Sequence, residues 1–398
     1  MAVAGEGGDG VKILVNAASV KEGGPLVVLD QLLQRMPLIR DDIKWAIAAH
    51  PSVRRRWNEQ SEIAQIDVGH IDASPFGVLH WYEVGLPATI KRMKPDLVFS
   101  ITNYLPLRRL PVPTVLLVQH AGHFSQQFDE LARQHLRRLD RVAAWAMKTR
   151  WVERSVRAAS EVTVQTAALA DAIAARTGRP RARIHAIPHG PGAMLAAPPV
   201  RRNPTGRPVR IGYITKWGVQ KNFEVLFAAA ARLIGERRDI RIVLTLAAHL
   251  PENMRIMRRA EAAGLGEVLE NVGEIDAADV SALYDSLDIF AFPSLVESFG
   301  FPLVEAMAKG LPVAVSDTPS NREIAADAGL FFPPADAQAL AGILGELIDN
   351  ATLREARSTA ALQRARDFSW QRAADRTLAL FDAALCAGSH RDGMPDRE

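Results

Sequence analysis

The sequence predicts an α/β protein built from two doubly wound parallel-sheet domains, and two features of the chain support this prediction. Short apolar segments rich in β-branched residues alternate with longer segments of helical period, and this alternation runs through both halves of the chain. Continuous apolar strands that alternate with helices are typical of parallel sheets covered on both faces. The chain has 398 residues and 48% hydrophobic content, which is enough to bury at least two cores.

The predicted elements follow one another in the same order in each half. In the first half, strands are predicted at 11–16, 43–50, 96–102, 114–120, 161–166 and 183–190, with helices such as 25–36 and 167–177 between them. In the second half, strands are predicted at 209–215, 240–247, 288–294, 312–317 and 328–334. The helices predicted there are 222–235, 252–264, 277–286, 302–309 and 336–348.

A segment rich in proline, glycine and charge separates the two halves and predicts the domain boundary. This segment, APPVRRNPTGRP, occupies 197–208 and is typical of a linker. We therefore expect an N-terminal domain over 1–196 and a C-terminal domain over 209–367, facing each other across a cleft. Ligands of such sheets bind outside the carboxyl ends of the strands. The polar end of the chain, 388–398, is expected to be disordered.

Composition and charge exclude several classes of protein. The formal charge of +3, from 48 basic and 45 acidic residues, is too small to indicate nucleic acid binding by itself. One cysteine, Cys386, excludes a disulfide framework within the chain and fits a reducing compartment. The N-terminus lacks the pattern of a signal peptide, and no apolar run approaches the roughly 18 residues of a membrane-spanning helix. We expect a soluble, cytoplasmic protein that can still lie on a membrane surface.

Two glutamates flank the segment that follows the predicted strand 288–294. Glu297 lies in the predicted loop, Pro302 suits the first turn of the next helix, and Glu305 lies about one turn into that helix. Gly310 suits the left-handed position after the helix end. On spacing alone, Glu305 can complement the helix dipole and Glu297 can be a surface acid.

The same loop and helix also have the features of a ligand site, so a second interpretation stays open. The start of a helix exposes free N–H groups and a partial positive charge, which together favour phosphate binding. Ser298 and Gly300 are small, and they allow a ligand to approach the loop backbone closely. The two carboxylates are then expected to accept hydrogen bonds from ligand hydroxyls.

The segment 281–341 resembles the C-terminal domain of retaining glycosyltransferases of family four, which have the GT-B fold. The family signature is a glutamate, seven residues and a second glutamate, and it is met by ESFGFPLVE at Glu297 and Glu305. The flanking EAMAKGLPVAVSD and AGLFFPPAD fit the family pattern, and the resemblance runs over roughly 205–375. It implies that Glu297 binds the donor sugar hydroxyls, with the amides of Phe299 and Gly300, and that Glu305 binds the ribose hydroxyls.

The loop after the predicted strand 209–215 carries two lysines. The resemblance implies that Lys216 and Lys221 neutralise the donor diphosphate, although Tyr213 stands where the family often has arginine. Fixed cations stabilise a leaving group whose negative charge grows as the bond breaks. We therefore expect no metal and no other cofactor, since the sequence shows no metal-ligand cluster. Without the resemblance, the two lysines can be solvated loop residues.

A glycine pair follows the first predicted strand. A dinucleotide-binding site has three glycines in a tight pattern after the strand, whereas this longer loop has only Gly23 and Gly24, so NAD binding is poorly supported. The resemblance places such a pair against the diphosphate and the sugar of the donor. Taken alone, the pair can equally form a tight turn.

A histidine ends the predicted strand 114–120. In the family that this chain resembles, a histidine after this strand faces the donor sugar, and His120 fits that position better than His123. An imidazole can bind a sugar hydroxyl and orient the reacting centre. The family often has an acidic residue next, whereas Ala121 follows here. The alternative is a histidine that caps the strand and takes no part in chemistry.

The segment 131–160 is strongly basic and helical by period. We expect one apolar face on this helix, formed by Leu136, Leu139, Ala143, Met147 and Val156. Two interpretations stay open. The helix can have a solvated basic face, or it can contact anionic lipid or a lipid-linked acceptor, because basic residues flank Trp145 and Trp151.

The resemblance implies a retaining glycosyltransferase that moves a hexose, such as mannose, glucose or rhamnose, from a nucleotide diphospho-sugar to an acceptor hydroxyl. The N-terminal domain would present a glycan or lipid-linked acceptor, and 368–387 would return to that domain as a helix. The setting implied is polysaccharide, lipopolysaccharide or glycolipid assembly in the cytoplasm, at the inner face of the membrane. The alternatives are a related enzyme acting on an activated sugar or a sugar phosphate, a glycosyltransferase-like subunit without catalysis and, less well supported, a NAD-dependent oxidoreductase.

Overall fold

The computed structural model describes residues 10–57, 63–69, 71–72, 76–135, 139–192, 206–276 and 278–389. The chain divides into two compact units. The first unit comprises Met1–Phe124, Asp140–Ile187 and Trp370–Glu398, and the second comprises Ser125–Leu139 and Pro188–Ser369. Most of the predicted linker 197–208 and nearly all of the tail 388–398 lie outside the described residues.

The first unit contains a seven-stranded parallel sheet with the order β3-β2-β1-β4-β5-β6-β7. Its strands are β1 Lys12–Ala17, β2 Lys44–Ala49, β3 Ile63–Ile66, β4 Leu97–Ser100, β5 Thr114–Leu117, β6 Glu161–Val164 and β7 Ile184–Ala186. The helices of this unit up to β7 are α1 Gly23–Leu33, α2 Met36–Ile39, α3 Gly77–His80, α4 Leu86–Met93, α6 Leu139–Ala158 and α7 Ala167–Thr177. Helix α5 Gln126–His135 precedes α6 in the chain and belongs to the second unit.

The second unit contains a six-stranded parallel sheet with the order β10-β9-β8-β11-β12-β13. Its strands are β8 Val209–Tyr213, β9 Ile240–Leu244, β10 Leu269–Asn271, β11 Ile289–Phe292, β12 Val313–Ser316 and β13 Gly329–Phe332. The other helices of this unit are α8 Phe223–Gly235, α9 Pro251–Ala262, α10 Val280–Asp285, α11 Phe301–Ala308, α12 Pro319–Ala325, α13 Ala337–Asp349 and α14 Ala351–Ala365. The last helix, α15 Trp370–Ser389, belongs to the first unit.

The fold prediction of two Rossmann-like parallel sheets is confirmed. In both sheets the strand order reverses beside the first strand, which is the order of dinucleotide-binding doubly wound folds. Every predicted strand is present, but β3 and β10 were not predicted from the sequence. Both are edge strands, and their buried face is incomplete, so their sequences IAQI and LEN lack a continuous apolar run.

The segment predicted as a helix over 131–160 is helical wherever it is described, as far as Ala158. Its described residues form the end of α5 and the whole of α6, and 136–138 lie outside the described residues. The predicted apolar face is wrong in part. Val156 is buried, but Met147 is 64% exposed and Ala143 is exposed, while the side chains of Leu136 and Leu139 are not described.

The buried face of α6 includes Thr149, Val152 and Val156, which follow one another at helical spacing. The two tryptophans of α6 pack within the first unit: Trp145 stacks on His123, and the indole N–H of Trp151 donates to Leu105 O at 2.8 Å. In the part of the chain that the structure describes, no helix is long and apolar enough to cross a bilayer. Contact with a membrane through this segment stays a prediction.

Candidate functional site

The expected donor-site residues of the second unit lie where the strand order reverses. Strands β8 and β11 are neighbours, yet they lie on opposite sides of the reversal, because β9 and β10 extend from β8 while β12 and β13 extend from β11. The loops that leave the carboxyl ends of β8 and β11 therefore lie at the point of the sheet where folds of this kind bind their ligands. Lys221 lies in the first of these loops and Glu297 lies in the second.

Lys221 and Glu297 form an ion pair. The distance between Lys221 Nζ and Glu297 Oε1 is 2.6 Å, and each side chain is only 13% exposed. The hydroxyl of Ser294 donates to the same carboxylate oxygen at 2.6 Å. Among the described residues, no hydrogen bond to Glu297 Oε2 is found, so this oxygen can accept from a ligand. The structure thus brings together two of the residues singled out from the sequence.

The loop between β8 and α8, which carries Lys216 and Lys221 and is called the lysine loop below, is held against its neighbours by backbone contacts. The hydroxyl of Tyr213 donates to Lys221 O at 3.0 Å, and the amide of Leu295 donates to Gln220 O at 2.9 Å. Asn222 adopts a left-handed conformation with φ 51°, which asparagine tolerates better than most residues. Its side-chain amide donates to Pro334 O at 2.8 Å. These bonds fix the position of Lys221 before any ligand binds.

Helix α11 begins after Gly300 and carries the second glutamate. Gly300 has φ 83°, and a Cβ on it would lie 3.2 Å from the ring of Phe292, so both backbone and space favour glycine. Pro302 lies in the first turn and Gly310 has φ 66° after the helix end, as the sequence predicts. Glu305 is the fifth residue of α11 and is buried.

Glu305 is held by a buried tyrosine. The hydroxyl of Tyr284 donates to Glu305 Oε2 at 2.7 Å. Burial, together with the neighbouring charge of Glu305, raises the pKa of Tyr284 well above its ordinary value. The phenol therefore stays protonated and remains a donor. A Cβ on Gly192 would lie 2.6 Å from Glu305 Oε1, so a side chain there would displace the carboxylate.

The other expected donor-site residues of this unit are less closely involved. Lys216 follows β8, is 67% exposed, and lies 4.0 Å from the carboxylate of Glu274. The ring of Phe299 is buried against Phe301 and Phe368, so its side chain packs in the core. Ser298 is partly exposed in the same loop.

In the first unit, His120 lies beyond the carboxyl end of β5, as predicted. Its ring is exposed, and its Nδ1 accepts from the amide of Gly122 at 3.2 Å. A neutral His120 thus carries its proton on Nε2. His123 is buried, stacks on Trp145 with 4.4 Å between ring centroids, and contacts Thr149 Oγ1 at 2.9 Å through Nδ1. Burial lowers the pKa of His123 to about 3, so its ring is neutral.

The glycine pair lies at the start of α1, in the loop that follows β1. Gly23 has φ 69°, and no protein atom lies within 4 Å of the position that its Cβ would take; Gly24 is the next residue of the helix. Backbone conformation rather than crowding favours glycine at this position. Lys21 in the same loop pairs with Asp72 at 2.6 Å, and Asp72 also contacts His50 Nε2 at 2.6 Å. This network joins the glycine loop to segments that follow β2 and β3.

Sequence reasoning missed three residues of the site. Ser294 ends the apolar run of β11, three positions before Glu297, so its spacing to Glu297 was a usable signal. Tyr284 lies 21 positions from Glu305 on α10, and Gly192 lies 113 positions away. No local sequence pattern links Tyr284 or Gly192 to Glu305, because these contacts form only when the sheet assembles.

Residues 202–364 match the family model described as Glycosyl transferases group 1. A phosphatidyl-myo-inositol mannosyltransferase of Mycobacterium leprae is 35% identical over 134 residues, which cover 33% of this chain and 36% of that protein. An MMP alpha-(1->4)-mannosyltransferase of Mycolicibacterium hassiacum is 27% identical over 290 residues, which cover 71% of this chain and 68% of that protein. The chain thus spans about a third of the length of the first relative and about two thirds of the second.

Solved structures resemble the whole described chain. The sucrose-phosphate synthase of Thermosynechococcus elongatus superposes with a TM-score of 0.71 at 18% identity, over 95% of this chain and 100% of that one. The Anabaena protein HepE, solved with UDP and glucose, gives a TM-score of 0.68 at 17% identity, over 94% of this chain and 100% of that one. At these identities the likeness establishes the fold alone. The chain therefore has the GT-B fold of these solved structures, and its residues 202–364 match the model of the glycosyl transferases group 1 family.

Proposed function

We propose that this protein is a retaining hexosyltransferase that uses a nucleotide diphospho-sugar as donor. The observation that supports this most is the largely buried Lys221–Glu297 pair in the loops that leave β8 and β11, with the buried Glu305 on the helix that follows the second loop. A cation and two carboxylates in this part of the sheet suit a ligand that carries both phosphate and sugar hydroxyls. The relatives named as mannosyltransferases support a hexosyl group as the transferred unit.

Each side chain has a proposed role in holding the donor. Glu297 accepts hydrogen bonds from sugar hydroxyls through Oε2, while Lys221 and Ser294 hold Oε1. Lys221 and Lys216 balance the charge of the diphosphate, so no metal is required by the proposal. Glu305, fixed by Tyr284, accepts from the ribose hydroxyls.

The proposed reaction breaks the bond between the sugar C1 and the diphosphate oxygen, and forms a bond between C1 and the acceptor oxygen. The acceptor attacks from the face that the diphosphate leaves, and the leaving diphosphate takes the acceptor proton. Retention of the C1 configuration follows from this geometry. His120, with Nε2–H directed away from its bond to Gly122, is proposed to orient a sugar hydroxyl, and Gly23 and Gly24 to lie near the donor.

A thermal-shift panel of UDP-, GDP-, ADP- and dTDP-sugars tests the donor class. We expect one nucleotide class to raise the unfolding midpoint, because a ligand that binds only the folded state stabilises it. The shift should persist in EDTA. No shift with any member of the panel would contradict the proposal. Release of free sugar from the stabilising donor, without acceptor, separates an enzyme from a subunit that only binds.

A further inference from the structure

A groove lined by arginines lies in the first unit, at the edge of the sheet opposite to His120. Its wall includes Thr114, the first residue of β5, and Ser160, the residue before β6. His120 instead follows the carboxyl end of β5. Because all strands of this sheet are parallel, the groove is separated from the loops assigned to the transfer reaction by the length of the strands. The groove is therefore a separate feature of this unit.

The charges of the groove are strongly unbalanced. The residues that line it include one carboxylate, Asp96, and six arginines. The arginines are Arg108, Arg109, Arg154, Arg157, Arg179 and Arg183. Asp96 already accepts a hydrogen bond from the amide of Lys12 at 2.7 Å. Three of these arginines have carboxylate partners outside the groove, which reduces their contribution to its positive field. Arg183 pairs with Glu161, Arg157 lies 3.7 Å from Glu153, and Arg108 lies 3.9 Å from Glu83. The remaining arginines still give the groove a net positive charge.

Several of these guanidinium groups are positioned by neutral carbonyls. Arg179 donates to Val156 O and Ala159 O at 2.8 Å, and Arg154 donates through Nε to Leu107 O at 3.1 Å. A carbonyl fixes the orientation of a guanidinium without cancelling its charge. These contacts cap the end of α6. They also leave fixed cations around a concave space.

One wall of the groove, the segment 105–113 that carries Arg108 and Arg109, is otherwise apolar and is conformationally restricted. The segment 105–113 supplies Leu107, which is 41% exposed, together with three prolines at 106, 111 and 113. Proline fixes φ, so this wall loses little entropy when a ligand binds. The end of α15 adds Leu385 to the lining.

The size and lining of the groove indicate its ligand. Its volume is about 1030 Å³, which is at the upper limit for small-molecule sites. The planar guanidinium group matches the oxygens of phosphate in a bidentate way. We propose that this groove binds a small organic phosphate, a phosphate ester or diphosphate joined to an apolar group. A concave site of this kind accommodates a single molecule better than the flat surface of a bilayer.

The test is calorimetric titration of the full chain with octyl phosphate in 150 mM salt, where long-range attraction between exposed charges is screened. The groove variant is Arg108→Gln/Arg109→Gln, whose side chains are exposed on the rim. The control is Arg55→Gln/Arg150→Gln, which removes the same charge from exposed positions of the same unit outside the groove. A second groove variant, Arg157→Gln, removes a cation from the end of α6, on a different part of the lining.

We expect octyl phosphate to bind the wild-type chain in a one-to-one ratio and roughly tenfold more weakly after loss of the two rim cations. The control should bind like the wild type, and inorganic pyrophosphate should bind more weakly than octyl phosphate, because it cannot use the apolar wall. Lys216 and Lys221 are unchanged in every variant, so a loss confined to the groove variants separates this site from the proposed donor site.

Three results would overturn the proposal. The first is that octyl phosphate does not bind. The second is that the control variant loses as much affinity as the groove variants. The third is that the chain binds phosphatidylcholine vesicles that contain phosphatidylglycerol and binds neither octyl phosphate nor pyrophosphate, which would make the groove part of a membrane-contacting surface.

Discussion

At the scale of single residues, Glu297 joins the lysine loop to the loop after β11. Its Oε1 receives both Lys221 Nζ and the Ser294 hydroxyl at 2.6 Å. The carboxylate and the ammonium group are both largely buried, so each depends on the other for charge compensation. This pairing holds the two groups that the proposed reaction needs in one place.

We expect Glu297→Gln to lower the transfer rate at least about 100-fold, because the amide cannot replace both charge compensation and hydroxyl binding. The free energy of unfolding should fall by only about 1–3 kcal/mol, since Lys221 loses a partly buried partner. Initial rates and urea unfolding measure the two effects. Glu346→Gln, which changes an exposed carboxylate on α13, is the matched control. A variant with near-wild-type turnover would remove Glu297 from the proposed reaction.

Tyr284 is a positioning residue for Glu305, and its test separates binding from turnover. We expect Tyr284→Phe to raise the KM for the donor several-fold with little change in kcat, because the hydrogen bond to a buried carboxylate is lost while Glu297 and Lys221 are intact. Steady-state kinetics with varied donor give both constants. An unchanged KM, or a fall confined to kcat, would mean that Tyr284 does not act through ribose binding.

At the scale of elements, the two site loops depend on helix starts that the sequence encodes well. Pro302 and Gly310 bracket α11, and the structure begins and ends the helix at the expected positions. The buried face of the segment 131–160 was harder to predict. Its many arginines do not mark which face of the helix is buried, so the sequence did not reveal that Ala143 and Met147 are exposed.

The start of α11 gives a prediction about stability. Gly300→Ala should cost about 1–2 kcal/mol of unfolding free energy, because alanine at φ 83° is strained and its Cβ would contact the Phe292 ring. Gly235→Ala is the control, since its φ is not positive and no atom lies within 4 Å of its Cβ position. That change should be neutral or slightly stabilising. Equal effects of the two changes would contradict the account of this helix start.

At the scale of the whole molecule, the sequence predicted two parallel sheets because their central strands are continuous apolar runs. It could not predict which distant residues meet at the site. The edge strands β3 and β10 were also not predicted, because a strand that pairs on one side only needs a less apolar sequence. Helix α15, which the resemblance placed with the first domain, packs Phe381 against Phe99 with 5.0 Å between ring centroids.

Each unit also contains a buried neutral histidine, which predicts acid sensitivity. Burial lowers the pKa of His189, which packs against Phe299 and Phe301, to about 3, and the pKa of His123 to a similar value. Below pH about 6.5 the unfolded chain binds a proton that the folded chain does not bind. As the pH is lowered below this value, the free energy of unfolding should therefore decrease by about 1.4 kcal/mol per pH unit for each histidine, until the pKa of the folded state is reached.

Urea unfolding from pH 6 to 4.5 measures this slope. His189→Gln should reduce it by about one proton equivalent. His249→Gln, at an exposed position, should leave the slope unchanged. If His189→Gln and the wild type lose stability in parallel, His189 is not the buried neutral group described.

The central claim is retaining transfer from a nucleotide diphospho-sugar, and proton NMR of the anomeric signals tests it most directly. The donor selected by thermal shift is incubated with the protein and an acceptor sugar, and the anomeric proton of the new glycoside is followed from the first minutes. The account predicts that an α-linked donor is consumed and that an α-linked product appears. A β-linked product, or no consumption of any UDP-, GDP-, ADP- or dTDP-sugar, would contradict it.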